Sequence, residues 1–224
     1  MLARVELPFL AQLSQEEAAD LRSRAVRRHF ARGATIMHQG EEAGRVVVIE
    51  QGRAKVTVVT EDGTEVVLAF REPGDMLGEL SAMGGTRRMA TVRAVEDLDA
   101  LAIAAGDFDA FLEARPRVAL VILRVVIERL RDADRQQVEF AAHHTLARVA
   151  SRLVELAERF GEAQDGGVLI TLPISQEELA SWAGASREAT SKALRDLREL
   201  GCVETRRRNI TVRDLDALSR LAGS

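Results

Sequence analysis

The pattern of hydrophobic and polar residues changes along the chain, and the first change separates a helical start from a region of strands. Residues 5–28 show the pattern of one or two short helices, with Ser14 and Glu17 at the S-x-x-E spacing of a capping box. Residues 29–105 contain short β-rich runs that alternate with glycines, namely TIMHQ, RVVVIE, AKVTVVT, EVVLAF, MATVRAV and DALAIA. Evenly spaced short strands with glycine turns predict a β-barrel or roll. The segment EDGT at residues 61–64 predicts a hairpin between two of them.

A long helix is predicted from Pro116 to about residue 141, because apolar residues recur at alternating steps of three and four. The heptad positions are Leu120, Leu123, Ile127, Leu130, Asp134, Gln137 and Ala141. A second apolar face consists of Val118, Val121, Ile122, Val125 and Val126. The first half of the helix is therefore expected to be buried on two sides, against the roll and against the same helix of a second chain. A helix that packs only on its own domain is the alternative.

The residues after the long helix predict a break and then a second compact region. His143–His144–Thr145 interrupts the heptad pattern and predicts a hinge, with Thr145 as the N-cap of the helix LARVASRLVELAERF. The following GEAQDGG reads as a turn. Further on, VETRRRNITV predicts a two-stranded wing that carries three arginines near its tip, Arg206, Arg207 and Arg208.

The segment ISQEELASWAGASREATSKALRDLRELG predicts two short helices joined by a tight turn. Ser175 and Glu178 have the spacing of a capping box, so the first helix begins there. Gly184 supplies the turn, Ser186 caps the second helix, and Gly201 ends it at the C′ position. Two helices with this connection are typical of a helix-turn-helix.

The start of the second helix carries candidate base-reading side chains. Arg187 and Lys192 are five residues apart, about 500° of rotation, and so lie on neighbouring parts of one face. In the major groove an arginine or lysine donates to guanine, and a glutamate such as Glu188 accepts from cytosine. The wing arginines are expected to contact phosphates, with simple solvation as the alternative. Because a palindromic site needs two reading heads, the homodimer interpretation of the long helix is favoured.

Composition and charge distribution fit a soluble protein with a localised basic surface. The chain has 224 residues, 46% of them hydrophobic, which is enough for one or two domains with real cores. Its net charge is −4, yet residues 186–213 hold eight Arg or Lys residues against four Asp or Glu residues. A basic region on an acidic body suits specific docking to double-stranded DNA. The absence of a long apolar run and of a signal peptide predicts a cytoplasmic protein without membrane contact.

A second candidate site lies in the segment GELSAMGGTRRMATV, residues 78–92. It combines a glycine turn, a short helix and an arginine that enters a strand. Backbone N–H groups at a helix start form an anion nest, and Arg88 can pair with a phosphate in fork geometry. Glu79 can accept a hydrogen bond from a sugar hydroxyl, so the set suits a small sugar phosphate. The candidate ligand-binding residues of this segment are Gly78, Glu79, Leu80, Ser81, Arg88 and Met89.

These motifs, in this order, resemble those of the cyclic-AMP receptor protein / fumarate–nitrate regulator (CRP/FNR) family of bacterial transcription regulators. G-E-L-S followed by R-x-A-T-V is similar to the family's phosphate-binding cassette, and G-A-S-R-E-x-x-x-K is similar to its recognition helix. The resemblance covers essentially the whole chain and implies an α+β fold. A cyclic-nucleotide-binding β-roll of double-stranded jelly-roll type is expected in residues 1–113, a dimerisation helix in 114–142, and a winged helix-turn-helix DNA-binding domain in 143–224.

The resemblance also implies roles for single residues. Glu79 would hold the ribose 2′-hydroxyl of cyclic AMP, and Arg88 would hold the cyclic phosphate. Arg187, Glu188 and Lys192 would read a TGTGA-like half-site. RNA polymerase is implied as a further partner, in contact with an acidic surface such as the hairpin tip, although most acidic turns are simply solvated.

Three positions depart from the family pattern. Met89 stands where cyclic-AMP binders usually have Ser or Thr, so a side-chain donor is lost. Ala133 and Asp134 stand where the family has Thr followed by a Ser or Asn that contacts adenine from the partner subunit. Alanine makes no hydrogen bond to the base, and Asp134 either accepts from the adenine amino group or repels an anion. Cyclic AMP is the expected effector, and a constitutive regulator or a different nucleotide or effector is the alternative.

Catalytic and metal chemistry is not indicated. The single cysteine, Cys202, excludes a disulfide framework and a four-cysteine iron–sulfur site within one chain, and it reads as a small buried residue. Met37 and His38 do not show the haem-ligand pattern, and Trp182 reads as a core residue. With no nucleophile–base set, metal-ligand spacing or Walker loop, the sequence predicts a regulator that is not an enzyme and holds no metal, haem or iron–sulfur cluster.

Overall fold

The computed structural model describes residues 7–206 and 209–223. They form two compact units, one within residues 7–131 and the other within residues 132–223. The boundary between the units falls inside one long helix, which runs from Pro116 to Ala142 as the sequence predicts.

The N-terminal unit contains two four-stranded antiparallel sheets. In chain order its elements are a 3₁₀ turn (Phe9–Gln12), α1 (Gln15–Arg24), β1 (Val26–Phe30), β2 (Thr35–Met37), β3 (Arg45–Gln51), β4 (Ala54–Val59), β5 (Glu65–Arg71), β6 (Met76–Leu77), α2 (Glu79–Gly84), β7 (Thr91–Ala94), β8 (Leu98–Ala104), α3 (Ala105–Ala114) and α4 (Pro116–Ala142). The strand orders are β1-β8-β3-β6 and β2-β7-β4-β5. The predicted roll is therefore confirmed, and so is the hairpin, because Val59 pairs with Glu65 across the β4–β5 turn.

Strand β3 lies inside its sheet, between β8 and β6, and both of its faces are buried. Val46 and Val48 pack in one hydrophobic cluster with α3 and the start of α4, while Val47 and Ile49 pack in a second cluster with β2 and β7. Successive strand side chains point to opposite faces, so a continuous apolar run here marks a strand covered on both sides. The predicted roll-facing side of α4 is confirmed by its fully buried members, Val118, Val121 and Ile122.

The prediction of one or two short helices in residues 5–28 is wrong at the C-terminal end of that range. The helix α1 ends at Arg24, and residues from Val26 onward form β1, which pairs with β8. Four of the five β1 side chains are exposed, so the strand lacks the alternation of apolar and polar residues that identifies a half-buried strand. Its position at the edge of the sheet explains this composition.

Glu17 fixes α1 at its start and ties it to α4. Its backbone N–H donates to Ser14 Oγ and its Oε2 accepts from the Ser14 N–H, which confirms the predicted capping box. The same buried carboxylate accepts from Arg117 Nε at 2.8 Å and also from Arg117 Nη2. The Arg117 hydrogen bonds, followed by the bond from the Ser14 N–H, lower the pKa of Glu17 from its usual 4.5 to about 2.

Replacing Glu17 with glutamine is expected to destabilise the protein at neutral pH and much less in acid. A carboxylate whose pKa falls on folding contributes stability above about pH 4.5, and this contribution disappears as the pH falls toward 2. The loss at pH 7 should be about 1–2 kcal/mol, the scale of a lost cap or charge-assisted hydrogen bond. Urea unfolding between pH 7 and pH 3 measures it, with the neighbouring exposed Glu16→Gln as the control. A difference from wild type that stays constant with pH would contradict this account of Glu17.

The C-terminal unit packs three helices and a small sheet around one central helix. After the end of α4 its elements are α5 (Thr145–Phe160), β9 (Gly161–Gln164), β10 (Gly167–Ile170), α6 (Gln176–Trp182), α7 (Arg187–Glu199), β11 (Val203–Arg206), β12 (Asn209–Val212) and α8 (Leu215–Ala222). The sheet has the order β11-β12-β10-β9. Half of the sixteen residues of α5 are buried, which makes it the core of the unit.

Two local predictions in this unit are wrong. Thr145 does not cap α5, since it is the first helical residue and His144 occupies the cap position without a side-chain hydrogen bond. GEAQDGG is not simply a turn, because its first four residues form β9 and pair with β10. These four residues are all exposed, so their strand conformation depends on pairing with the chain that follows.

Candidate ligand cassette and nucleic-acid interface

The cassette, defined here as residues 78–92, begins with a glycine in a backbone conformation that other residues rarely adopt. Gly78 has φ +81° and is the N-cap of α2. A Cβ at this position would collide with the Arg88 guanidinium and would lie 2.8 Å from the terminal methyl of Met37. The glycine therefore lets the arginine approach the turn from which the short helix starts.

Arg88 is a buried cation whose one ion pair among the described residues is a long contact with Glu41. Only 4% of the residue is exposed, and its Nη1 donates to the Gly78 carbonyl at 2.7 Å while Nη2 donates to the Arg45 carbonyl. Its buried Nε makes no hydrogen bond to this part of the chain, and the Glu41 carboxylate is 4.0 Å away from it. Burial lowers the pKa of Arg88 because desolvation disfavours the charged form. A buried guanidinium with this environment is suited to receive an anion.

Glu79 is the second buried charge of the cassette, and its partner is Arg129 of α4. The carboxylate is 2% exposed and accepts from Arg129 Nη1 at 2.5 Å, while Arg129 Nη2 donates to the Met76 carbonyl at 2.8 Å. The sequence reasoning missed Arg129. A signal for it existed, because Arg129 continues the roll-facing spacing of Ile122 and Val125 by one further turn.

The other predicted cassette residues divide into buried and exposed ones. Ser81 is buried, whereas Leu80 and Met89 are 46% and 63% exposed. Ala133 and Asp134 are exposed residues of α4 that belong to the C-terminal unit. The structure thus brings Gly78, Glu79 and Arg88 together within one unit, and it does not bring Ala133 and Asp134 into that unit.

The helix-turn-helix forms as the caps predict. Ser175 and Glu178 make both hydrogen bonds of a capping box at the start of α6. Ser186 Oγ accepts from the Ala189 N–H at 3.1 Å at the start of α7. Gly184 and Gly201 both have positive φ, at the turn and just after the end of α7.

Helix α7 presents its candidate base-reading residues to solvent. Its buried face consists of Thr190, Ala193, Leu194 and Leu197. Ser186, Arg187, Glu188 and Lys192 are exposed. The pKa of Glu188 is lowered by hydrogen bonds at the helix start, from its own N–H and from the Ser186 side chain. Glu188 is therefore an acceptor-only carboxylate at neutral pH.

The wing forms from β11 and β12, with Arg206 paired to Asn209 at its end. The side chain of Arg206 is 77% exposed, and its Nε donates to Glu204 Oε1 at 2.8 Å. Arg213, and then Arg206, lower the pKa of Glu204. Arg206 thus already has an acidic neighbour, while Arg207 and Arg208 lie outside the described residues.

Cys202 and Trp182 are buried in the core, as predicted. Cys202 is 2% exposed, and burial raises the pKa of its thiol, which makes it less reactive. Trp182 is 1% exposed at the end of α6. Within residues 7–206 and 209–223, no helix has the length and apolar character needed to span a membrane.

Two family models match the chain, one within each of its two units. Residues 27–115 match the family model of the cyclic nucleotide-binding domain, and residues 147–221 match that of the Crp-like helix-turn-helix domain. The chain is 31% identical, over 86% of each sequence, to a CRP-like cAMP-activated global transcriptional regulator of Mycobacterium tuberculosis. It is 30% identical, over 96% of each sequence, to a cyclic AMP receptor protein of Thermus thermophilus. The crystal structure of a CRP-family transcriptional regulator from the same species matches with a TM-score of 0.74 at 31% identity, covering 88% of this chain and 97% of that one.

A cyclic nucleotide-binding domain joined to a helix-turn-helix domain defines a DNA-binding transcription regulator rather than an enzyme. The chain belongs to the CRP/FNR family of such regulators.

Proposed function

We propose that the protein is a dimeric, sequence-specific transcription regulator that is gated by cyclic AMP. The observation that carries the proposal is the pair of buried charges at one glycine turn, Glu79 and Arg88. Among the described residues the Arg88 guanidinium has only the 4.0 Å ion pair with Glu41, and a cyclic phosphate would supply an anion within hydrogen-bond distance. A carboxylate has about four acceptor positions, so Glu79 can hold Arg129 and still accept from a ribose hydroxyl.

A second candidate keeps the DNA-binding function and changes the gate. Met89 offers no side-chain donor, and Ala133 offers none to a base, whereas Asp134 adds a negative charge. These residues favour a regulator that is constitutive or responds to a different nucleotide or effector. Support for cyclic AMP comes from the sugar-phosphate residues and from the cAMP-activated relative in Mycobacterium tuberculosis.

For DNA recognition we propose that Arg187, Glu188 and Lys192 read the bases of a TGTGA-like half-site. Their exposure at the start of a well-capped helix supports this role, since the first turns of a recognition helix enter the major groove. Phosphate contacts are assigned to Ser186 and to the wing arginines, Arg206, Arg207 and Arg208. These contacts position the helix without reading sequence.

The dimer is proposed from the exposed apolar positions of α4. Leu120, Leu123 and Leu130 are more than half exposed and Ile127 is 39% exposed, at heptad spacing opposite the roll-facing side. A second copy of the helix would cover this stripe and place two reading heads on half-sites about 34 Å apart. Sedimentation equilibrium at micromolar concentration measures the mass, and a monomer would contradict the dimer.

The remaining assignments follow from this function. Residues 1–113 are proposed as the sensor domain, 114–142 as the dimerisation helix and 143–224 as the DNA-binding domain. A transcription regulator acts in the cytoplasm, and RNA polymerase is its expected further partner. No metal, haem or iron–sulfur cluster is required for the proposed chemistry.

The experiment that tests the proposal is binding of the purified protein to a labelled TGTGA-N6-TCACA duplex at fixed salt. Saturating cyclic AMP is expected to tighten binding to this duplex and not to a scrambled one. Equally tight binding with and without nucleotide would support the second candidate instead. Equal affinity for this duplex and the scrambled one, both with and without cyclic AMP, would contradict the assignment of the reading residues.

A further inference from the structure

A buried arginine joins three helices of the C-terminal unit. Arg152 of α5 is 3% exposed, and its Nη1 donates to Glu155 Oε2 at 2.8 Å. Its Nη2 donates to Glu139 Oε2, and Ser151 Oγ donates to the other oxygen of Glu139 at 3.1 Å. The guanidinium carbon lies 5.3 Å from the centre of the Trp182 ring. We call these five residues the Arg152 cluster.

Each partner of Arg152 comes from a different part of the DNA-binding unit. Glu139 lies in the last turn of α4, while Glu155 lies one turn along α5. Trp182 is the last residue of α6, immediately before the turn that leads to α7. The cluster therefore connects the end of the long helix to the turn of the helix-turn-helix.

A second set of contacts runs beside the cluster and joins the same elements. Arg148 donates to the carbonyls of His143 at 2.8 Å, Ala183 at 2.9 Å and Gly184 at 3.1 Å. A Cβ on Gly184 would lie 2.9 Å from the ring of Phe140, so this ring packs directly on the turn. Two sets of contacts therefore cross the break between α4 and α5, those of the Arg152 cluster and those of Arg148 and Phe140.

The energetic cost of opening this arrangement is high. Arg152 Nε is buried and makes no hydrogen bond to the described residues. The charge of the guanidinium is compensated by the carboxylates of Glu139 and Glu155 and by the face of the Trp182 ring. Separating Glu139 from Arg152 leaves a buried charge partly uncompensated, which is strongly destabilising.

We propose that Arg152 is a positioning residue for DNA reading, because it fixes residues 132–142 of α4 and the helix-turn-helix as one rigid body. The break at His143–His144 is then a rigid joint and not the predicted hinge. The DNA-reading part of this inference rests on the proposed function.

The test compares full-length wild type with Arg152→Met, which keeps most of the side-chain volume, and with Glu139→Gln, which is isosteric. Hydrogen–deuterium exchange of the amides of residues 143–148 is expected to rise by about tenfold or more in both variants, since exchange reports local opening. The emission of Trp182, the only tryptophan of the chain, is expected to shift in Arg152→Met. Combining the two substitutions should change exchange little beyond Arg152→Met alone, because both remove the same contact.

The matched control is Arg159→Met, which removes another arginine of α5 that pairs with Glu155 at 3.3 Å. It should leave exchange at residues 143–148 unchanged. A positioning role further requires that affinity for the TGTGA-N6-TCACA duplex falls about tenfold in Arg152→Met while affinity for scrambled DNA is kept.

The outcomes separate this inference from the proposed function. Unchanged exchange at residues 143–148 in both Glu139→Gln and Arg152→Met would overturn the rigid joint. Raised exchange with an unchanged ratio of specific to scrambled affinity would overturn the positioning role. A wild type without any cyclic-AMP response would defeat the proposed gate alone, because the exchange comparison involves no nucleotide.

Discussion

Arg88→Ala is expected to abolish the response to cyclic AMP while DNA binding at low salt persists. The guanidinium is the buried cation of the cassette and the residue proposed to hold the cyclic phosphate. Charge-assisted hydrogen bonds are worth about 1.5–3 kcal/mol each, so losing the fork should weaken nucleotide binding by about a hundredfold or more. Isothermal titration measures the nucleotide affinity, and duplex binding with and without cyclic AMP measures the response.

The matched control for this prediction is Arg87→Ala. Arg87 is the adjacent arginine, it is exposed, and it donates to the Gly40 carbonyl at 2.9 Å, so its removal changes the net charge equally. Arg88→Lys gives a second check on folding, because it keeps the charge and loses the fork. A nucleotide response that survived Arg88→Ala would mean that the cassette is wrongly assigned.

The structure also explains why the cassette could be located from sequence while its charge pairing could not. Glycine turns, caps and a short helix are local, and Gly78, Glu79 and Arg88 occur within eleven residues. The partner of Glu79 is fifty residues away, on a helix whose rotation decides which side chain faces the roll. The spacing of the buried residues of α4 predicts that Arg129 faces the roll. It does not predict which carboxylate Arg129 pairs with.

The strands β1 and β9, which the sequence pattern did not predict, were missed for the same physical reason. Strand β1 and strand β9 both expose their side chains, so neither shows the alternation that hydrophobic burial produces. Their conformation comes from backbone hydrogen bonds to β8 and β10. Pairing with β8 joins residues about seventy positions apart, and such pairing is not encoded in the local pattern.

The helix-turn-helix was predicted correctly because its two helices are bounded by caps. Ser175, Glu178 and Ser186 make the hydrogen bonds that their spacing implies, and Gly201 lies at positive φ where α7 ends. The buried charge of Arg152 was not foreseen, since an arginine on an amphipathic helix is usually solvated. Its burial depends on Trp182 and Glu139, which approach from other helices.

Arg187→Ala is expected to cost about 1–3 kcal/mol of specific DNA binding, roughly a 5- to 150-fold loss of affinity. Arg187 is the first residue of α7 and is exposed, so its removal leaves the helix cap at Ser186 and the buried face intact. The lost donor is the one proposed to read a guanine, so preference should relax at one base pair of each half-site. Competition among duplexes that carry each of the four base pairs at each position measures this directly.

The control is Arg195→Ala, because Arg195 is exposed on the same helix and lies eight residues, just over two turns, beyond Arg187. It removes the same charge, so both variants should lose a similar amount of nonspecific, salt-dependent affinity. Only Arg187→Ala should change the base preference. If both substitutions weakened all duplexes equally, Arg187 would be a phosphate contact, and the reading of sequence would have to be assigned to Glu188 and Lys192.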